Sequence, residues 1–259
     1  MFAACPATLL SVSSSTRRPG PIRFVAEGPR ASSEFGAFLT AAGPLVARSP
    51  RGDGHDVLVL PGFTADDTST RPLRWFLRKL GYRTHGWRLG LNLGPTDKVI
   101  DGLMARFTAV AGEGRPVSLV GWSLGGIYAR ELAYLYPESV RQVVTLGSPF
   151  RLDDREQSNA APLFDMLSTF HSNRFADTDP NELPRPPLEV PSTAIFTRSD
   201  GVVPWRSTME PDGPRTESIA VRGSHSGLGY NPGALKIIAD RLSQPAGTWV
   251  PYPGRRRAA

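Results

Sequence analysis

The chain has 259 residues, a length that fits one or two domains and is usual for a single α/β domain. Apolar residues make up 40% of it, but no apolar run approaches the roughly 18 residues of a membrane-spanning helix, so we expect no span. The net charge of +6 arises at the two ends, because residues 1–30 and 251–259 contribute +3 each. Residues 31–250 carry equal numbers of basic and acidic side chains, which argues against a folded nucleic-acid-binding surface.

Cysteine and histidine are too sparse for a disulfide or a zinc site. Cys5 is the only cysteine, and the four histidines lack the spacing of a metal-binding helix. We therefore predict no metal site.

The two ends of the chain are predicted to lie outside the fold. We expect a mobile leader at 1–30, one domain at 31–250 and a basic tail at 251–259. The apolar stretch 2–12 precedes its arginines, the reverse of a secretory signal, which favours a cytoplasmic location over a secreted one.

Strands and helices alternate along the middle of the chain. Continuous apolar runs indicate buried strands, and apolar residues spaced by three and four indicate helices. In chain order the sequence predicts helix 34–47 (interrupted near Gly43 and Pro44), strand 56–60, helix 70–80, strand 82–87, helix 96–111, strand 116–120, helix 124–136, strands 143–146, 193–196 and 217–221, and helix 232–242. This alternation predicts an α/β fold with a mainly parallel sheet covered by helices on both faces.

A segment at about 150–190 does not fit the sheet pattern. Apolar positions at 163–170 suit one amphipathic helix, and five prolines in 180–191 indicate an extended return to the sheet. We expect this segment to form a short cap above the carboxyl edge of the sheet, where such folds vary.

One motif between a predicted strand and a predicted helix carries chemistry. Residues 121–126 read GWSLGG, a G-x-S-x-G pattern in the strand–turn–helix setting that a nucleophilic serine needs. A sharp turn there strains the backbone of Ser123 and raises its hydroxyl, while Gly121 and Gly125 avoid a β-carbon clash. The sequence therefore predicts Ser123 as a nucleophile.

A serine nucleophile needs a base and a group that orients the base. His225 follows the last predicted strand, at the sheet edge where open α/β sheets place functional side chains, so it is the predicted base. Asp200 follows the preceding strand within an Asp-Gly turn and is the predicted acid; Asp153 and Asp154 are its rivals.

The oxyanion of such a reaction needs two backbone donors. One prediction is the N–H of Leu124, directly after the nucleophile. The other is the N–H of Phe63, with Gly62 as the weaker candidate, because Pro61 has no N–H.

Together these motifs suggest a family. Residues 55–242 resemble the α/β-hydrolase superfamily, in the branch whose G-x-S-x-G elbow esterases and lipases use. The resemblance rests on PGF at 61–63, GWSLGG at 121–126, SDGVVP at 199–204 and GSHSGL at 223–228, although many relatives have His-Gly where this chain has Pro61 and Gly62. It implies an α/β-hydrolase fold and no cofactor.

The residues and the resemblance predict a serine hydrolase that cleaves carboxylic esters through an acyl-enzyme. The predicted neighbours of the site are apolar, which favours neutral esters of short to medium chain; they are Trp122, Val202, Val203 and Leu228. A lipase for longer chains, an acyltransferase with the same triad and a non-catalytic ligand-binding scaffold are the alternatives. The expected partner is a small-molecule ester, and a monomer is assumed.

Overall fold

The computed structural model describes residues 18–112, 114–152, 158–166, 172 and 186–253. A six-stranded sheet has the order β2-β1-β3-β4-β5-β6, and each neighbouring pair of strands is parallel. Its strands are β1 (Asp56–Leu60), β2 (Arg83–Gly86), β3 (Val117–Trp122), β4 (Val140–Leu146), β5 (Ser192–Thr197) and β6 (Thr216–Val221). Because all of them run the same way, their carboxyl ends meet at one edge.

Helices cover both faces of this sheet. They are α1 (Pro21–Val25), α2 (Glu27–Arg48), α3 (Arg71–Leu80), α4 (Asp97–Ala111), α5 (Leu124–Leu135), α6 (Ala161–Met166) and α7 (Pro232–Leu242). One core cluster joins α2, α3 and α7 to the sheet, and a second joins α4 and α5 to the opposite face. The α/β architecture predicted from the alternating pattern is confirmed.

The two core clusters follow from the period of two along each strand. In β1, Val57 and Val59 belong to the cluster under α2, α3 and α7, whereas Leu58 and Leu60 belong to the other. A strand that is buried on both sides is apolar at most of its positions, and this explains the continuous apolar run at 57–60.

Most predicted elements are present, with boundaries shifted by a few residues. The largest shift is at the start of α2, which begins at Glu27; among the strands, β3 extends to Trp122 and β4 begins at Val140. Polar side chains define several helix ends: Thr96 accepts from the Val99 N–H at the start of α4, and Asn231 caps α7. The prediction for helix 232–242 is confirmed at both ends.

The predictions for the N-terminal region are wrong where the structure describes it; residues 1–17 of the expected leader lie outside the described residues. Residues 21–30 are helical rather than part of a mobile leader, and α2 continues through Pro44 instead of breaking there. Proline removes one helical hydrogen bond, but the burial of Phe38 and Ala42 in the core holds the helix together across that position.

The predicted cap falls largely outside the described residues. Within 150–190, the structure describes 150–152, 158–166, 172 and 186–190. Its helix α6, Ala161–Met166, overlaps the first four residues of the helix predicted at 163–170, and the remaining four lie outside the described residues. Among the described helices, none is both long and apolar enough to cross a bilayer.

Candidate active site

A sharp turn carries Ser123 from β3 into α5. Its backbone has φ 52° and ψ −120°, a combination that non-glycine residues rarely adopt, and its N–H donates to the Leu146 carbonyl at 2.8 Å. The strained backbone predicted for this serine is confirmed. Because α5 begins at Leu124, the amides of its first turn lie next to the serine.

The backbone around this turn leaves no room for side chains. A β-carbon on Gly121 would lie 2.3 Å from the Gly125 carbonyl oxygen, and one on Gly125 would lie 2.4 Å from the Leu60 carbonyl oxygen. The prediction that glycine is needed at both positions is confirmed, and crowding is the reason.

His225 and Asp200 meet at the carboxyl edge of the sheet. Asp200 follows β5, His225 follows β6, and His225 Nδ1 lies 2.7 Å from Asp200 Oδ2. The other Asp200 oxygen accepts from the N–H groups of Val202 and Val203, both at 2.8 Å, which fixes the carboxylate plane. Both side chains are buried, so this bond is shielded from solvent.

The surroundings of His225 favour its charged form. Burial opposes that form and is the largest single influence, but the Asp200 charge, the hydrogen bond to Asp200 and the Glu27 charge together outweigh it. The pKa of His225 is therefore raised above the usual histidine range. Such an imidazole accepts a proton readily, as a general base must.

The turn of Ser123 and the loop of His225 are tied together. The Trp122 indole N–H donates to the His225 carbonyl at 3.1 Å. On the other side, a β-carbon on Gly147 would lie 3.0 Å from His225 Nδ1, so glycine lets the imidazole approach the end of β4. Among the described residues the Ser123 hydroxyl forms no hydrogen bond, and its contact with His225 stays a prediction.

The loop after β1, residues 61–65, passes directly beside the serine. A β-carbon on Gly62 would lie 3.2 Å from Ser123 Cβ and 3.9 Å from Ser123 Oγ, so the missing side chain allows this approach. The predicted oxyanion donors, Phe63 and Leu124, directly follow these two residues in the chain. We refer to residues 61–65 as the oxyanion loop, and its role stays a prediction.

Comparison with known proteins identifies the family of this chain. A family model described as "alpha/beta hydrolase fold" matches residues 44–175, just over half of the chain. The chain belongs to the alpha/beta hydrolase fold family.

Curated relatives of this alpha/beta hydrolase match over a shorter stretch. Pimeloyl-acyl-carrier-protein methyl ester esterases from Shewanella woodyi and Aliivibrio salmonicida are 32% and 31% identical over 98 and 104 residues. Each match spans 38% of this chain and only 37% of the relative's length.

Solved structures of low identity share the fold. A structure reported for LipS and LipT, two metagenome-derived lipolytic enzymes, has a TM-score of 0.55 at 19% identity and covers 74% of this chain and 93% of that chain. Mouse alpha/beta hydrolase domain-containing protein 10 has a TM-score of 0.54 at 16% identity, with coverages of 75% and 92%. These likenesses support the architecture of this alpha/beta hydrolase.

Three of the four predicted pocket side chains lie in the packed interior. Leu228 is fully buried and Val203 is only 2% exposed, so neither side chain presents an open surface, and their role in binding the substrate stays a prediction. Trp122 is 8% exposed and packs edge-on against Tyr230 within the core under α7. Residues next to a motif at a strand end turn toward the core as readily as toward solvent, and sequence proximity cannot distinguish the two. Val202 is half-buried.

Asn92 supports the oxyanion loop and was not predicted. Its side-chain amide donates to the Pro61 carbonyl at 3.0 Å, and its backbone pairs with Thr64 and Ala65 at 2.7 and 2.8 Å. The Tyr128 hydroxyl donates to Asn92 Oδ1 at 3.2 Å. Asn92 stands in an ordinary-looking loop sequence, so only the fold reveals this role.

Two other histidines hold structural bonds, as their positions in the sequence suggest. His55 Nε2 lies 2.8 Å from Ser118 Oγ at the amino end of the sheet. His85 lies on the edge strand β2, and its Nε2 is 2.8 Å from Asp56 Oδ1. Within the described part of the chain, no group of three His, Cys, Asp or Glu side chains could hold a metal ion. The rival acids Asp153 and Asp154 and the histidine His171 lie outside the described residues.

Proposed function

We propose that this alpha/beta hydrolase cleaves carboxylic esters, with Ser123 as nucleophile, His225 as base and Asp200 as the residue that orients the base. The bond of 2.7 Å between His225 Nδ1 and Asp200 Oδ2 carries the proposal, because it leaves Nε2 as the nitrogen that can accept a proton. The strained turn at Ser123, on the same sheet edge, supports it. The curated relatives are themselves named as esterases.

The proposed reaction has two halves. Ser123 Oγ attacks the carbonyl carbon of the ester while His225 Nε2 takes the hydroxyl proton, and Asp200 stabilises the imidazolium that forms. The N–H groups of Phe63 and Leu124 hold the oxyanion, and His225 then protonates the departing alcohol. Water next attacks the acyl-enzyme with His225 again as base, releasing the acid and restoring Ser123.

The surface beside the oxyanion loop favours neutral acyl groups. Leu91 and Leu93 are exposed, at 52% and 41%, on the segment that pairs with this loop through Asn92. Each methylene that such a surface removes from water contributes about 0.8 kcal/mol. We therefore infer that short- to medium-chain neutral esters react best.

A serine-directed fluorophosphonate probe tests the nucleophile. We expect one covalent adduct on Ser123, located by peptide mass spectrometry, and none in Ser123→Ala or in unfolded protein. A folded wild-type chain without an adduct would contradict every catalytic reading of this site and leave a ligand-binding scaffold.

A series of p-nitrophenyl esters from acetyl to palmitoyl tests the acyl preference. We expect kcat/KM to rise over the first members and then to fall for the longest chains. A steady increase up to palmitoyl, or activation at an oil–water interface, would instead indicate a lipase. Adding an alcohol acceptor and analysing the products separates hydrolysis from acyl transfer.

A further inference from the structure

A buried carboxylate from α2 lies behind the candidate site. Glu27 is 5% exposed, and both of its oxygens face backbone N–H groups. Oε1 accepts from Gly201 at 2.8 Å and from His225 at 3.2 Å, and Oε2 accepts from Ser226 at 2.9 Å. Three N–H donors around one side chain suit an ionised carboxylate.

These three amides belong to the two loops that carry the acid and the base. We call residues 198–204 the acid loop and residues 222–228 the base loop. Gly201 directly follows Asp200, and Ser226 directly follows His225. One carboxylate therefore fixes the acid loop relative to the base loop, and with it the direction from which Asp200 meets the imidazole.

The acid loop is shaped to receive α1 and α2. A β-carbon on Gly201 would lie 2.4 Å from the Arg23 carbonyl oxygen and 2.9 Å from Glu27 Cγ. Gly201 has no positive φ, so the glycine of the SDG sequence makes room for the helices rather than supplying a special turn conformation.

Two other side chains of α2 also form hydrogen bonds to the acid and base loops. Arg30 donates to the Ser199 carbonyl at 2.9 Å and also contacts the Gly223 carbonyl. Glu34 accepts from the Ser224 N–H at 2.6 Å. Loop attachment is thus shared among three residues of α2, but Glu27 alone among them bonds the amide of His225.

We infer that Glu27 is a positioning residue for the proposed hydrolysis: it fixes the acid and base loops together, and its charge stabilises the imidazolium that forms on His225. This inference rests on the proposed function. The charged groups near His225 are Asp200 at its Nδ1, Glu27 at its backbone, Arg30 at 3.7 Å from Glu27, and Glu34 behind Ser224. Two acids thus approach His225 itself.

The electrostatics of His225 agree with this role. The Glu27 charge is one of the influences that raise the pKa of His225, after the charge and the hydrogen bond of Asp200. Removal of the Glu27 charge should therefore lower that pKa. Replacement of a residue that only stabilises the fold, with no charge acting on His225, would not lower the pKa of His225.

The test compares E27Q with E34Q in the full chain. Two quantities are measured: the pH profile of p-nitrophenyl butyrate hydrolysis, and the titration of the His225 ring by NMR, assigned with His225→Gln. For E27Q we expect the His225 titration and the acid side of the kcat profile to move to lower pH. We also expect a fall in kcat of about 10- to 100-fold with a much smaller change in KM, because the loops shift.

E34Q is the matched control, because it removes a carboxylate from the same helix and a bond to the same base loop. We expect the His225 titration in E34Q to stay at the wild-type position. Equal shifts in E27Q and E34Q, or no shift in either, would overturn the inference.

E27D keeps the charge and shortens the reach, so it should lower kcat while keeping the His225 titration near that of wild type. If E27Q does not fold, a folded E27D with this behaviour supports the inference, whereas loss of the fold in both variants makes Glu27 a structural residue and overturns it.

Wild-type protein that cleaves no ester would contradict the proposed function. Active wild type with an unchanged E27Q profile would overturn this inference alone.

Discussion

At the scale of single residues, the backbone of Ser123 is the most unusual feature of the site. Its φ of 52° is positive although the residue has a β-carbon, and such strain costs of order 1–3 kcal/mol. The surrounding turn holds it there through the bond to the Leu146 carbonyl. Stability is thus given up at the position where the proposed chemistry needs an exposed hydroxyl.

This strain predicts different stabilities for two inactive variants. Ser123→Ala and Ser123→Gly should both lose hydrolysis by several orders of magnitude, since the nucleophile is gone. Only glycine relaxes the backbone, so Ser123→Gly should be more stable than Ser123→Ala by about 1 kcal/mol after the entropy cost of glycine. Urea unfolding of both variants measures the difference, and a glycine variant that is less stable than the alanine variant would contradict the strain.

The bond between Asp200 and His225 predicts how hydrolysis depends on pH. Only the neutral imidazole accepts a proton, and the pKa of His225 is raised. The acid side of the kcat/KM profile should therefore have its midpoint above about pH 6.5, the ordinary histidine value. Asp200→Asn should move that midpoint to lower pH and reduce kcat by about four orders of magnitude. A wild-type midpoint at or below the ordinary histidine value would contradict a raised pKa of His225.

The same raised pKa has a consequence for stability. A histidine whose folded pKa exceeds its unfolded pKa stabilises the fold fully at pH values below the unfolded pKa. That contribution disappears as the pH rises through the folded pKa. We expect the free energy of unfolding of wild type, compared with His225→Gln, to show an advantage in acid that declines with rising pH. An advantage that grows with pH would show that His225 is held neutral.

At the scale of elements, Asn92 joins the loop after β2 to the oxyanion loop. Asn92→Ala should remove the hydrogen bonds that this side chain makes with the Pro61 carbonyl and the Tyr128 hydroxyl, at a cost of about 1–3 kcal/mol in stability. Because the oxyanion loop then moves, kcat should fall more than KM rises. Tyr128→Phe is the matched control, since it removes one bond to Asn92 and leaves the loop attached; equal kcat losses in the two variants would contradict this role.

The first helices provide a second prediction at this scale. A chain that begins at residue 31 lacks Glu27 and Arg30. It therefore removes the acceptor of the Gly201 and His225 N–H groups and the donor to the Ser199 carbonyl. We expect it to lose hydrolysis and to unfold at lower urea concentration, whereas a chain that begins at residue 18 should keep both properties. Equal behaviour of the two chains would show that residues 18–30 are dispensable.

Most elements could be predicted because their signals are local. The apolar run of β1, the proline and glycine around α3, and the asparagine cap of α7 are each visible within a few residues. The start of α2 could not be predicted in this way, because its anchor is an amide 198 positions further along the chain. Likewise, no local pattern shows that Leu228 faces the core.

At the scale of the whole molecule, the parallel sheet places the candidate site. Ser123, Asp200 and His225 each follow a strand, so three residues that are far apart in sequence arrive at one edge. This rule allows the candidate site to be predicted from the sequence alone. The rule says nothing about the helices that support the loops from behind, and these contacts depend on packing that only the folded chain shows.

Attachment of α2 to the last two loops also has a consequence for the order of assembly. During synthesis from the amino end, α2 is made before the amides that Glu27 bonds, which lie 174 to 199 positions further along the chain. The buried carboxylate of α2 therefore has no partners until those loops are made, and contacts of such high separation form late and slowly. On the proposed function, nascent chains halted before β6 would contain the turn of Ser123 but not His225, so they would lack the proposed base and should not yet hydrolyse esters.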